Sequence, residues 1–349
     1  MNKKKLIKYI EKLKEENLLV EENIKDILKD KNIENVTYDS RKVVNNTLFL
    51  CKGSNFKIEY LENALKNGAI AYISEETYKI KDKPYIIVNN IRRAIAVLCR
   101  FFNDNPEQKI NMIGVTGTKG KSTTSYYIKY ILDEYMRDIN KKEIAIISSI
   151  DTYDGKERSE AVLTTPEPEE LFMHIRNAVD SDIDNLVMEV CSQALKIERV
   201  YGILYKYGIF LNISEDHISN IEHKDYNEYL EAKLKLFEQT ETAVINLNTD
   251  DLDKVLNSAK KSKKIITFGN TENADVFGYN IRKDGMNTVF NVRTKKFDKE
   301  IVLTMPGLFN VENALAAIAV AVEMEIPYEN IYRGLKKAKA SGRMEVYSD

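Results

Sequence analysis

Residues 112–124 read Met-Ile-Gly-Val-Thr-Gly-Thr-Lys-Gly-Lys-Ser-Thr-Thr: a short apolar run, a glycine-rich turn, then the start of a helical stretch. That succession decides the fold. Gly117 and Gly120 let the backbone curl so that its N–H groups face anionic oxygens. Lys121 then reaches the outer phosphates of a nucleotide, and the Ser122 hydroxyl is placed to ligand Mg²⁺. The helix that follows adds its positive N-terminal end to the same place. Val115 stands where the strict form of the motif has a glycine, so this is a variant phosphate loop. The plain alternative is a Gly/Lys turn that only joins a strand to a helix. The order of elements favours an ATP site.

Working outward, apolar runs at Met112–Val115, Ala145–Ile147, Leu186–Val190, Tyr207–Leu211, Ala243–Asn246 and Ile265–Phe268 alternate with helical segments. Continuous Val/Ile/Leu runs of this kind predict a mostly parallel sheet with helices on both faces. Near Val276–Thr304 the period shifts to short alternating strands, an antiparallel edge. Val311–Val322 reads as an alanine-rich helix. Upstream, Asn35–Tyr38, Leu48–Cys51, Ala69–Ile73 and Tyr85–Val88 read as strands, with helical spacing over Leu61–Lys66 and Ile91–Phe102. The expectation is an α/β chain in which a small N-terminal α/β domain, 1–106, ends at Asn-Asp-Asn-Pro. A central ATP-binding domain follows over 107–340, then a stub, 341–349.

Bulk properties narrow the function classes. The 349 residues are 43% hydrophobic and 30% charged, and the net charge of −2 gives no bulk electrostatic pull toward nucleic acid or a membrane surface. Lysine runs at Lys3–Lys5 and Lys260–Lys264 read as solvated faces. Cys51, Cys99 and Cys191 are scattered without metal-ligand spacing, as in a reducing compartment, and Cys99 falls in an apolar run. No stretch has a leader-like apolar core or the length of a membrane span. A soluble, cytoplasmic and monomeric protein is expected.

In a parallel α/β sheet, ligands gather at the carboxyl ends of the strands. Glu189 closes one apolar run there, where a hard carboxylate oxygen suits Mg²⁺. Asn212 and Glu215-Asp216-His217 follow the next, and His217 is either a surface residue or a metal or phosphate contact. His174 and His223 carry no assigned role. At a helical repeat, Tyr226, Tyr229, Leu230, Leu236 and Phe237 share a face with Lys233 in its middle, while Lys235 points away. A lysine there needs a partner, a depressed pKa or a modification; snorkelling is the simpler reading. Thr164-Thr165-Pro166-Glu167 carries a helix-capping pattern, and Asn310 and Asn313 flank the alanine-rich helix as cap candidates. Arg343 could meet a phosphate or ribose.

Taken in order, these segments resemble the Mur ligase family, in its UDP-N-acetylmuramoyl-tripeptide synthetase (MurE) type. Tyr38-Asp39-Ser40-Arg41 with Leu48-Phe49 is similar to the family's uridine-binding motif. Gly117–Thr123 is similar to its ATP loop, with Lys119 where asparagine is usual. Thr164-Thr165-Pro166, Glu189 through Arg199-Val200, Asn212…Asp216-His217, Ala232-Lys233, Phe309-Asn310…Asn313 and Gly342-Arg343-Met344-Glu345 match further motifs in sequence. Cys191 and Gln193 depart from the usual serine and histidine. Gly53-Ser54-Asn55-Phe56 replaces a His/Gln-rich loop, Ala340-Ser341 replaces Val-Pro, and Asp349 falls where the family's third domain begins.

The resemblance implies an ATP-dependent ligase that adds an amino acid to UDP-N-acetylmuramoyl-L-alanyl-D-glutamate through an acyl phosphate. It implies Lys121, Lys233, His217 and Glu189 as catalytic residues. Gly117, Thr118, Lys119, Gly120, Lys121, Ser122, Thr123, Asn310 and Arg343 would contact ATP. Tyr38, Ser40, Thr164, Thr165, Cys191 and Arg199 would hold the precursor. Mg²⁺ would be bound by Ser122, Glu189, His217 and Lys233, the lysine as a carbamate formed with CO₂, which replaces the snorkelling reading. Two rivals stay open: a folylpolyglutamate-type ligase, which lacks the Asp39-Ser40-Arg41 region, and a non-catalytic or partner-dependent precursor- or nucleotide-binding protein.

Overall fold

The computed structural model describes residues 3–53, 56–78, 80, 83–215, 222–305 and 307–339. The chain forms two compact units. The first comprises Met1–Pro106 together with Glu167–Arg176 and Ile197–Gly202; the second comprises Glu107–Pro166, Asn177–Lys196 and Ile203–Asp349.

Among the described residues the first unit carries a five-stranded sheet in the order β1-β5-β4-β3-β2. Its strands are β1 (Leu19–Asn23), β2 (Asn35–Thr37), β3 (Thr47–Leu50), β4 (Ala69–Ser74) and β5 (Tyr85–Val88). Strands β2 to β5 are parallel, and β1 joins β5 antiparallel. The helix over Ile91–Phe102 matches its sequence spacing; it starts at Asn90, whose side chain accepts from the Arg93 N–H. Cys99 is fully packed within it, as its apolar run predicts. Strand β1 and the helix over Leu6–Glu15 are additions to the sequence reading. The pattern of β1 is mostly exposed, so it has no apolar alternation to announce it.

The second unit carries an eleven-stranded sheet, in the order β16-β15-β14-β13-β12-β11-β6-β10-β7-β8-β9, among the described residues. Its centre is parallel: β6 (Asn111–Thr116), β7 (Ala145–Ile147), β10 (Asn185–Glu189), β11 (Tyr205–Phe210), β12 (Thr240–Asn246) and β13 (Lys264–Gly269). One flank turns antiparallel through β14 (Val276–Asp284), β15 (Asn287–Arg293) and β16 (Asp298–Leu303), as the shift in period predicts. At the other edge lie the short antiparallel strands β8 (Asp151–Tyr153) and β9 (Arg158–Glu160).

Successive strand residues feed two cores because side chains alternate across a sheet. Ile209 and Val244 join the helices over Lys121–Asp138 and Asn310–Glu323 on one face. Phe210, Ala243 and Ile245 join Tyr229, Leu230 and Phe237 on the other. Burial on both faces is what the continuous apolar runs require. It also fixes where chemistry can occur. A helix on each face brings side chains to the same crest, the carboxyl ends of β6, β10 and β11.

Candidate active site

The phosphate loop leaves β6 at Thr116 and enters the Lys121–Asp138 helix at Gly120. Gly120 has φ 87°, and a Cβ there would stand 2.2 Å from Asn313 Oδ1, so only glycine fits. Val115, the departure from the strict motif, is a fully buried strand residue facing the core. The loop is pinned from the next strand end. Thr118 N–H donates to the Asn212 carbonyl at 3.0 Å, and Lys119 N–H to Asn212 Oδ1 at 2.9 Å. Asn212 Nδ2 returns a bond to the Lys119 carbonyl at 3.1 Å. Lys121 Nζ donates to the Gly117 and Thr118 carbonyls at 2.9 and 3.2 Å, which holds its ammonium at the loop.

A line of oxygens crosses from the loop to β10. Ser122 Oγ lies 3.0 Å from Ser149 Oγ. Glu189 Oε1 accepts from Ser149 N–H at 2.8 Å and from Ser149 Oγ at 3.2 Å. Ser122 and Glu189 are each 1% exposed, and Ser149 between them is half-buried, so both ends of this hydroxyl–hydroxyl–carboxylate string are buried and oriented. Hard oxygen donors of this kind suit Mg²⁺. Ser149 was not singled out from sequence, although it follows β7 by two residues; the rule that placed Glu189 would have reached it. Beyond Glu189, Thr165 Oγ1 donates to the Glu189 carbonyl at 2.8 Å and accepts from Cys191 N–H at 3.0 Å. Thr165 therefore ties the Thr164-Thr165-Pro166 segment to the end of β10, with Cys191 beside it.

Lys233 comes to the loop from the opposite face of the sheet. Its helix, Tyr226–Leu234, starts at Asp225, which accepts from the Glu228 N–H, and gives way to a 3₁₀ turn at Lys235. Lys233 is 1% exposed, so it does not snorkel: its Nζ donates to the Gly117 carbonyl at 2.9 Å and lies 4.5 Å from the Tyr229 ring centroid. The stem is walled in by the core of that face, and the amine turns to the strand ends for a partner. Lys235 is exposed, as its spacing implies.

The loop also borders a cleft of about 790 Å³ lined by Lys119, Gly120, Thr123, Asn212, Phe309 and Asn313. The alanine-rich helix starts after Phe309 with no side-chain cap, which corrects the capping reading of its asparagines. Asn310 and Asn313 lie one turn apart inside the helix, and their side chains meet each other at 3.2 Å. Asn313 Oδ1 also accepts from Thr124 Oγ1 at 3.4 Å. Asn313 thus faces the phosphate loop's own helix, with Asn310 bonded to it.

In the first unit, Asp39 caps the short turn Ser40–Lys42, and the Arg41 guanidinium hydrogen-bonded to it holds its carboxyl down at about 2. Tyr38 lies under Lys52 Nζ, 3.9 Å from its ring centroid. Arg199 is buried with Nε 2.9 Å from Glu167 Oε1, and Lys52 Nζ is 2.6 Å from Glu167 Oε2. His217, Asp216 and Arg343 lie outside the described residues, as does the 341–349 segment.

A phosphate loop at the carboxyl end of a central parallel strand, a hydroxyl–carboxylate string at its side and a cleft beyond define a nucleotide-binding α/β protein. Residues 115–321 match the model of the Mur ligase middle domain. A UDP-N-acetylmuramyl-tripeptide synthetase of Lactobacillus delbrueckii subsp. bulgaricus is 37% identical over 96% of this chain and 68% of its own length. A UDP-N-acetylmuramoyl-L-alanyl-D-glutamate–L-lysine ligase of Enterococcus faecalis is 36% identical, covering 92% of this chain and 64% of its own. The solved structure of a UDP-N-acetylmuramoyl-L-alanyl-D-glutamate–2,6-diaminopimelate ligase superposes with a TM-score of 0.83 at 22% identity, over all of this chain and 69% of that one. The chain belongs to the Mur ligase family.

Proposed function

We propose that this chain binds ATP and a UDP-N-acetylmuramoyl-dipeptide, and that it is an ATP-dependent acid–amino-acid ligase of peptidoglycan precursor synthesis. The reaction adds an amino acid to UDP-N-acetylmuramoyl-L-alanyl-D-glutamate. The observation that carries this reading is the hydrogen-bonded string Ser122–Ser149–Glu189 beside a phosphate loop that Lys121 and Lys233 both address. In a chain of this family, that is a site for moving a phosphoryl group.

The precursor's terminal carboxylate attacks the γ-phosphorus of ATP, the bond to the bridging oxygen breaks, and ADP leaves behind an acyl phosphate. The amine of the amino acid then attacks the acyl carbon, phosphate departs and the amine loses its proton. Lys121 exchanges its loop carbonyls for phosphate oxygens, and the loop and helix N–H groups hold the rest. Ser122 and Glu189 are the residues that would hold Mg²⁺, oriented by Ser149; Mg²⁺ when bound supplies neutralising charge on the phosphate oxygens. N-carboxylation would turn Lys233 from a buried cation into an anionic oxygen donor, with His217 and Glu189 for a second ion. Tyr38, Ser40 and Arg199 in the first unit, and Thr164, Thr165 and Cys191 in the second, are the precursor contacts. A cytoplasmic location is part of this reading, since two of the three substrates, ATP and the UDP-precursor, are nucleotides.

The test is a calorimetric titration with UDP-N-acetylmuramoyl-L-alanyl-D-glutamate in the presence of Mg²⁺ and a non-hydrolysable ATP analogue. One-to-one saturable binding is expected. Nucleotide binding without precursor binding would overturn the substrate assignment and leave the ATP site standing.

A further inference from the structure

Tyr229 is fully buried and meets three things at once. Its hydroxyl donates to Thr118 Oγ1 in the phosphate loop at 3.2 Å. Lys233 Nζ lies over its ring, 4.5 Å from the centroid, and the His223 ring centroid stands 5.1 Å away, tilted by 57°. His223 is itself fixed, its Nε2 lying 2.9 Å from Ser192 Oγ, three residues past Glu189. Thr118 Oγ1 accepts a second bond from Ser214 N–H at 3.1 Å, so that oxygen joins the loop to two other segments.

We propose that Tyr229 is a positioning residue of the nucleotide site, setting the phosphate loop through its hydroxyl and Lys233 through its ring. The physical argument is one of shared anchoring. The loop and Lys233 sit on helices from opposite faces of the sheet, and the Gly117 carbonyl is their direct link. A buried aromatic ring has only two side-chain torsions, so it holds both ends at small entropic cost. Before any carboxylation the Lys233 ammonium rests on this desolvated ring face and is attracted to it, which keeps the lysine stem extended toward the loop. Burial makes the tie matter: without the Tyr229 hydroxyl the Thr118 oxygen keeps only its bonds to Ser214, and the loop loses its anchor to the Lys233 helix.

The inference rests on the ATP-site reading, and its test separates the two. Tyr229→Phe keeps the ring and removes the tie to Thr118. Expected is a three- to tenfold rise in KM for ATP, or in the Kd of a non-hydrolysable analogue, with kcat nearly unchanged. Thr118→Val, which also removes the bond from Ser214 N–H, should raise KM at least as much, and the double variant should be no worse than Thr118→Val alone, since the bond that Tyr229→Phe removes is already gone. Tyr229→Leu should lower kcat as well, because Lys233 loses its ring. Additive losses in the Tyr229→Phe/Thr118→Val cycle, or an unchanged KM in Tyr229→Phe, would overturn the proposal. Should the wild-type chain bind no nucleotide, the ATP reading fails, and the tie is still read by hydrogen exchange at the Thr118 and Lys119 amides. Faster exchange in Tyr229→Phe upholds the positioning role, and equal exchange ends it.

Discussion

The large sheet handles charge in opposite ways at its parallel centre and at its antiparallel flank. At the centre, Ser122, Glu189 and Lys233 are buried, and each is bonded to a residue far along the chain. Along the flank, Arg293 pairs with Asp298 between the adjacent strands β15 and β16, and Arg282 of β14 reaches Glu300 of β16 across β15, all four about half exposed. Exposed pairs contribute about 0–1 kcal/mol, whereas a buried polar group without partners costs several times that. The centre is therefore the arrangement that depends on its partners: removing one would leave the other buried and unpaired, which is not so on the flank.

Four variants break or sharpen that contrast. Lys121→Ala should have the largest effect, abolishing ADP formation and weakening nucleotide-analogue binding by about 100-fold, because charge-assisted bonds to phosphate are lost. Unchanged ADP release would remove the loop from the chemistry. Lys233→Ala should lower ligation about 10- to 100-fold, with partial recovery when a short carboxylic acid is added. Failure of any acid to restore turnover would argue against a carbamate. Ser149→Ala removes the hydroxyl that orients Glu189 and leaves both candidate metal contacts in place. About a tenfold fall in rate, relieved by raised Mg²⁺, is the expected signature. Arg282→Ala, on the flank, should change unfolding free energy in urea by no more than about 0.5 kcal/mol and leave turnover alone. A loss above about 2 kcal/mol there would erase the distinction.

How much of this was legible beforehand differs by the range of the interaction. The parallel strands, the loop and Glu189 were readable because each is announced by a local run, and Lys233 because its neighbours one turn away are apolar. What it touches was not readable: Gly117 lies 116 positions earlier, and only the packing of two faces brings them together. The asparagines of the alanine-rich helix misled for the same reason. Near a helix start the local cap is the economical assignment, yet Asn313 turns to Thr124, 189 residues away. Short polar strands such as Arg158–Glu160 escaped because every residue in them is exposed.

The connectivity of the first unit carries a consequence for synthesis. Glu167–Arg176 and Ile197–Gly202 belong to it, and Glu167 supplies the carboxylate for both Lys52 and Arg199. A ribosome that has released only the first 106 residues has made most of a domain without its counter-charge. By the time Gly202 emerges, β6, the phosphate loop and β10 have emerged as well. The nascent chain thus matures its two units side by side instead of one after the other.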